Sequence, residues 1–168
     1  MKHELTIIFL FVIIFSCTRS NNDTIKSKDS KTEIISPPVF NPKHYDKIGF
    51  ACGEGGVETT LINEFTKLIK DKKYQQLKAR LYSSKPGEVY LSTISTEKLA
   101  KEGMIKLNII ELRQIEKNRN KTDTIYTCSG CTESGYYTVK QLLNDTTNFT
   151  RKEAGWWFDK ILGKNIIE

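Results

Sequence analysis

Only about three quarters of this chain is available to build a folded core. Leu5 to Phe15 form an apolar run in which Thr6 is the one polar interruption. Those eleven residues fall far short of the ~20 that a helix needs to cross a bilayer, and fit the apolar centre of an export signal. Lys2 and His3 give the run a weakly basic start that Glu4 partly offsets. From Thr18 to about Lys43 the chain turns polar and carries Pro37, Pro38 and Pro42. Such a stretch buries too little apolar surface to offset the entropy of ordering it, so an unstructured tether is expected, extended near the prolines. What remains, residues 44–168, is the ~125 residues of a single domain with a single core.

The apolar run ends in Ile14-Phe15-Ser16-Cys17. A small residue directly before a cysteine at that position resembles the lipobox of bacterial lipoproteins. The resemblance covers residues 1–17 alone, and it departs from the common pattern at Phe15, where a small residue is usual, and at Glu4. It implies that residues 1–16 are a signal peptide removed on export. Cys17 then becomes the acylated N-terminus, carrying diacylglycerol and palmitate-type chains, and residues 17–43 form the lipidated start and its tether. One acyl chain contributes ~0.8 kcal/mol per buried methylene and anchors only marginally; two or three anchor stably. The expected location is therefore outside the cytoplasm, lipid-anchored to a membrane of the cell envelope. The competing reading is an ordinary cleaved signal with Cys17 incidental.

The net charge is +6, and it stays +6 without residues 1–16 because Lys2 and Glu4 leave together. A basic balance invites a nucleic-acid partner. Yet the lysines are scattered among acids, as in Lys70-Asp71-Lys72-Lys73, and the arginines that fork onto phosphates are only Arg19, Arg80, Arg113, Arg119 and Arg151. A solvated basic surface, with no nucleic-acid role, is the reading adopted.

Helical spacing dominates the folded part. Leu61, Ile62, Phe65, Leu68 and Ile69 make one apolar stripe from about Glu58; Tyr74, Leu77, Leu81 and Tyr82 make a second. Pro86 suits the first turn of a third helix carrying Val89, Tyr90, Ile94 and Leu99, which stops at Gly103. Asn108 and Glu111 form a capping box for a fourth, with Leu112 and Ile115 inward. Thr122 to Thr127 alternates like a strand, and Tyr136 to Thr138 is placed to pair back on it. Val139 to Leu143 reads as a short helix. Thr150 and Glu153 suggest a capping box for a last helix through Leu162, with Ala154, Trp157, Phe158, Ile161 and Leu162 inward. Lys67-Leu68-Ile69-Lys70-Asp71 and Lys98-Leu99-Ala100-Lys101-Glu102 resemble one another 31 residues apart. The expected fold is mainly α: an array of antiparallel helical hairpins in the manner of solenoid repeats, with a small β-hairpin near residues 122–138.

The cysteines carry the only chemically loaded pattern. With Cys17 acylated, Cys52, Cys128 and Cys131 remain, an odd number outside the cytoplasm, so one bridge and one leftover thiol are expected. Two structural bridges are open: Cys128 to Cys131 across Ser129-Gly130, or Cys52 to one of them, closing a long loop. Cys128-Ser129-Gly130-Cys131 also has the C-x-x-C spacing of a thiol–disulfide oxidoreductase, although a turn follows it where such a site needs a helix N-terminus. Zinc held by His44, Cys52, Cys128 and Cys131 is a further reading, weakened by the loose spacing of His44 and Cys52. Gly53-Glu54-Gly55-Gly56 ahead of a helix suggests an anion cradle, but no P-loop lysine follows and Glu54 and Glu58 would repel phosphate.

Of Trp156 and Trp157, the second lies on the apolar stripe and the first lies off it, so Trp156 is the candidate exposed binding aromatic. His44 is the one histidine beyond residue 16, and no nucleophile–base pair or carboxylate pair stands out, so no catalytic residue, cofactor or metal is assigned. The function expected is a non-enzymatic binding module with a protein or glycan partner in the envelope. A periplasmic thiol–disulfide oxidoreductase using Cys128 and Cys131, or a small zinc-binding domain, is the alternative.

Overall fold

A computed structural model of the chain describes residues 46–164. The order of elements is β1 (Lys47–Cys52), α1 (Thr60–Lys70), α2 (Tyr74–Ala79) running into a 3-10 turn (Arg80–Tyr82), α3 (Pro86–Lys101), α4 (Ile109–Arg119), β2 (Thr124–Gly130), β3 (Glu133–Thr138), α5 (Val139–Asn144) and α6 (Phe149–Ile161). The three strands form one mixed sheet in the order β1-β2-β3, with β1 parallel and β3 antiparallel to β2. This is a mixed α/β domain, which corrects the expectation of stacked helical hairpins. The parallel β1–β2 pair demands a long crossover, and α1 to α4 supply it. Among the described residues no helix is long and apolar enough to span a membrane.

The strand that the sequence hides is β1. Its buried residues include Ile48 and Phe50, and Gly49 with the glycines that follow the strand mimics a loop. The pairing register steps between Ile48 opposite Thr127 and Ala51 opposite Ser129, so Gly49 and Phe50 together face Cys128. That one-residue bulge bends β1 and shifts the phase of everything after it. Gly53-Glu54-Gly55-Gly56 is not an anion cradle. It is the turn of a tight reversal, with Gly53 and Gly56 at positive φ and Cys52 and Val57 exchanging backbone hydrogen bonds of 2.9 and 3.0 Å.

α3 is the central helix, buried on nearly every side from Gly87 to Thr96. Its Ser92, Thr93, Ser95 and Thr96 are all enclosed despite their polarity. Two of their hydroxyls turn back onto the helix: Ser92 Oγ donates to Val89 O at 3.1 Å and Thr96 Oγ1 to Ser92 O at 2.8 Å. Thr93 Oγ1 accepts from Asn118 Nδ2 at 3.0 Å, and the same amide donates to Leu81 O at 3.1 Å. Asn118, with Gln114 bonded to its Oδ1 at 2.8 Å, is the polar peg that seats α4. This seating explains a second correction. Ile115 is buried as expected, but Leu112 is 48 % exposed, because Asn118 and Ile115 turn it outward.

Local signals vary in how they are realised. Asn108 and Glu111 do form the capping box of α4, and Pro86 does open α3. Thr138 and Gln141 form a second box, at α5, that the sequence reading passed over. Thr150 and Glu153 form none: α6 starts at Phe149, and Glu153 is used elsewhere. Tyr82, placed on an inward face, is exposed because the α-helix tightens into a 3-10 turn after Ala79 and rotates it out.

Candidate functional site

The cysteine question resolves into one bridge. Cys52 and Cys128 form a disulfide across the β1–β2 pair, with Cα atoms 5.4 Å apart and 76 residues between them in sequence. The bulge creates it, by drawing Cys52 back toward Cys128. Gly49 permits it: a Cβ there would overlap Cys52 Sγ and lie 2.5 Å from Cys128 Sγ and 2.6 Å from Cys128 O. The sulfurs pass through the space that any other residue at 49 would fill.

This pairing removes the basis of both alternative readings. A dithiol site needs Cys128 and Cys131 to pair with each other, whereas Cys128 is engaged by Cys52 and Cys131 stands free and exposed at the tip of the β2–β3 hairpin. Zinc would need thiolates, and two of the three candidate sulfurs are joined to one another. His44 lies outside the described residues, as do Cys17 and the stretches expected to be a signal and a tether. Among the described residues no group of three His, Cys, Asp or Glu side chains is placed to hold a metal.

Trp156 and Trp157 divide as the helical phase demands. Trp157 is 5 % exposed, packs on Phe50 with ring centroids 5.5 Å apart, and donates from Nε1 to Thr66 Oγ1 at 2.8 Å. Trp156 is 49 % exposed and meets the edge of Phe149, itself 44 % exposed, at 6.1 Å. Phe149, Glu153, Trp156 and Lys160 follow one another at helical spacing and share one side of α6, within a sector of roughly 60°. Beside them, between α6 and β1, lies a hollow of ≈ 200 Å³ lined by Phe50, Ala51, Glu58, Glu153, Trp156, Trp157 and Lys160.

Glu153 is the unusual member. Its residue is only 7 % exposed, Oε1 accepts from Ser129 Oγ at 2.6 Å, and Oε2 is enclosed with no hydrogen-bond partner. Burial holds its carboxyl above the ordinary carboxylate value, and the Ser129 hydrogen bond pulls partway back. A carboxyl raised in the folded state favours the fold most while it is protonated in both states. Its contribution is lost as the pH climbs from the ordinary carboxylate range through the raised value. Glu153→Gln stays neutral and still accepts from Ser129. The thermal midpoint of that variant, relative to the unmodified protein, should therefore be lowest at acid pH and rise as the pH climbs above the ordinary carboxylate range of about 4. Thermal melts across that range check it; a difference that does not change with pH would contradict the assignment.

Two other depressions have several of their charged groups paired from within. The larger, ≈ 630 Å³, is walled by Asp46, Glu58, Glu64, Glu88, Lys47 and Lys85 among others. There Arg80 bridges Glu64 at 3.3 Å and Glu88 at 3.4 Å, and Asp46 Oδ2 accepts from Gly87 N at 2.8 Å to cap α3. The second, ≈ 280 Å³, lies between α3 and α6. Its Lys98 is paired with Asp159 at 2.9 Å, and Glu97 with Arg119 at 2.5 Å. The hollow beside Trp156 differs in being flanked by an exposed indole. Sequence reasoning found Trp156 and missed Glu153, because its spacing from Thr150 imitates a cap and its partner Ser129 sits on a distant strand.

Comparisons with protein-family models, with curated proteins and with solved structures each find no match for this chain.

Proposed function

We propose that the chain is a non-enzymatic binding module of a bacterial cell envelope, anchored to a membrane by lipid on Cys17 and working through the exposed side of α6. The binding half of this reading is carried by one observation: Trp156 and Phe149, both large and exposed, stack edge to face on one side of α6. Exposed aromatics clustered on one side of a helix are what a binding surface presents. The anchoring half is supported by the sequence Leu5 to Phe15 followed by Ser16-Cys17, and by the polar length of chain between Cys17 and the fold.

Both halves are open to direct test in the producing cell. Radiolabelled palmitate should enter the full chain and fail to enter Cys17→Ser, which should leave the membrane fraction; equal labelling of the two removes the anchor. For the surface, a photo-crosslinking side chain is placed in turn at positions 149, 156 and 160 on α6, and at 109, 110 and 113 on α4. Crosslinks should concentrate on the α6 set. An even spread, or a concentration on α4, would assign the working surface elsewhere.

A further inference from the structure

The hollow between α3 and α6 carries positive charge that the fold leaves uncompensated. We infer that it binds a small organic oxyanion, a carboxylate or a phosphate ester, seated on Arg151 with Lys101 completing the positive rim. The site is separate from the outward side of α6 proposed above and does not depend on it.

α3 and α6 lie side by side and run the same way. Arg151 reaches the enclosed Tyr90 hydroxyl near the start of α3, Lys98 pairs with Asp159 at 2.9 Å, and Glu102 with Lys164 at 2.6 Å past the other end. Each helix turns one stripe toward the other at the spacing of a single face. From α3 come Ile94, Glu97, Lys98 and Lys101, and from α6 come Arg151, Ala154, Gly155 and Phe158. Between the stripes the packing leaves ≈ 280 Å³. Gly155 keeps that space open. It brings no side chain, and a Cβ added to it would meet nothing within 4 Å. Glycine destabilises the interior of a helix relative to alanine, and no neighbour requires it here; what it supplies is room for a ligand to approach the backbone.

Four charged residues line the hollow, and two of them are balanced. Glu97 is held by Arg119 and Lys98 by Asp159. Arg151 and Lys101 have no acid within ion-pair distance among the described residues. Lys101 is exposed and keeps its water, whereas Arg151 is partly buried. The contact with Tyr90 does not balance Arg151. Burial keeps that hydroxyl neutral, and a phenol takes one of the five guanidinium N–H groups. A partly buried cation without a counter-ion is unfavourable, and a carboxylate or phosphate relieves it through paired N–H···O bonds that fit the guanidinium fork.

Other ligand classes leave that charge as it is. A cation meets Arg151 and Lys101, and a neutral molecule displaces water from the guanidinium without replacing the missing charge. The volume lies at the small end of ligand sites, which suits an acid or ester of a few carbons.

The test uses the full chain in a polyoxyethylene detergent at constant ionic strength. Succinate and glycerol 3-phosphate represent a free oxyanion, phosphatidylglycerol in the same micelles represents a lipid headgroup, and succinamide is the neutral counterpart. Calorimetry measures binding, and the Nε–Hε resonance of Arg151, identified by its loss in Arg151→Gln, locates it. At least one oxyanion should bind with a Kd of about 1 mM or tighter and shift that resonance, and succinamide should do neither. Arg151→Gln should weaken binding about tenfold or more, and Lys101→Gln about threefold. Gly155→Leu favours the helix and fills the hollow, so it should remove binding without lowering the thermal midpoint. Lys117→Gln takes the same charge from exposed α4 surface and should change nothing. Binding of a soluble oxyanion upholds the site with a free ligand, and binding of phosphatidylglycerol alone upholds it with a headgroup. If none of the three binds by about 10 mM, or if Arg151→Gln or Gly155→Leu binds as tightly as the unmodified chain, the assignment falls. Equal weakening by Lys117→Gln overturns it too, by reducing the effect to net charge.

Discussion

Breaking the Cys52–Cys128 disulfide lowers the stability of the domain by about 4 kcal/mol, the largest effect expected from any single bond in it. The figure follows from loop length. Cross-linking two points 76 residues apart removes a large share of the unfolded chain's freedom, and the entropy restored on cleavage grows with the logarithm of that separation. In urea the midpoint should fall by about 2 M on reduction, and equally in Cys52→Ala/Cys128→Ala. The comparison is cleanest with Cys131→Ala throughout, since the free exposed thiol would otherwise attack the bridge during unfolding. A midpoint that hardly moves would mean that the bridge closes no such loop. Gly49 supplies an internal check. Gly49→Ala should be strongly destabilising while both sulfurs are present, because the new methyl must occupy their space, and less so once both cysteines are alanine. Cys128 O, at 2.6 Å, would still crowd it, but the clash with the sulfurs would be gone, so the two changes should couple by about 1 kcal/mol or more in a double-mutant cycle.

What could be read in the sequence was whatever is decided locally. The stripes of α1 and α6, the Asn108–Glu111 box and the start of α3 at Pro86 are settled by residues three or four apart, and they appear in place. β1 is the opposite case. Lys47–Cys52 contains Gly49 and runs into Gly53, so its local preference is for a turn; it is a strand because β2, nearly eighty residues later, gives it hydrogen-bond partners and a disulfide. Missing that one strand turned a mixed α/β domain into an apparent helical array. The serines and threonines of α3 are another case. Ser92 and Thr96 satisfy their hydroxyls on their own helix and Thr93 meets Asn118 of α4, so polarity at those three positions does not mean exposure. The site divides the same way. Trp156 was visible from its phase on α6, whereas Glu153 acquires its character only from β2, through Ser129.

The adjacent tryptophans give the other large effect, and a sharp contrast. Trp157→Ala should cost about 4 kcal/mol, within the range for deleting a buried indole, and lower the thermal midpoint by 10 °C or more, about what that loss implies for a domain of this size. The side chain lies against Phe50 of β1 and Phe158 of its own helix and donates to Thr66 of α1, so its removal opens a cavity where α6, the sheet and α1 meet. It also strands the Thr66 hydroxyl. Trp156→Ala, one residue away, should shift stability by no more than about 0.5 kcal/mol, because half of that indole is already in water and its main contact, Phe149, is exposed too. Urea and thermal melts of the two variants measure the difference, and circular dichroism establishes that Trp156→Ala keeps the fold. The pair therefore separates the two properties of α6. If Trp156→Ala proved as destabilising as Trp157→Ala, Trp156 would be serving the core, and its exposure could not be attributed to a ligand. If it leaves the fold intact while abolishing crosslinking from α6, the indole is maintained on the surface at a position where the fold itself gains almost nothing from it.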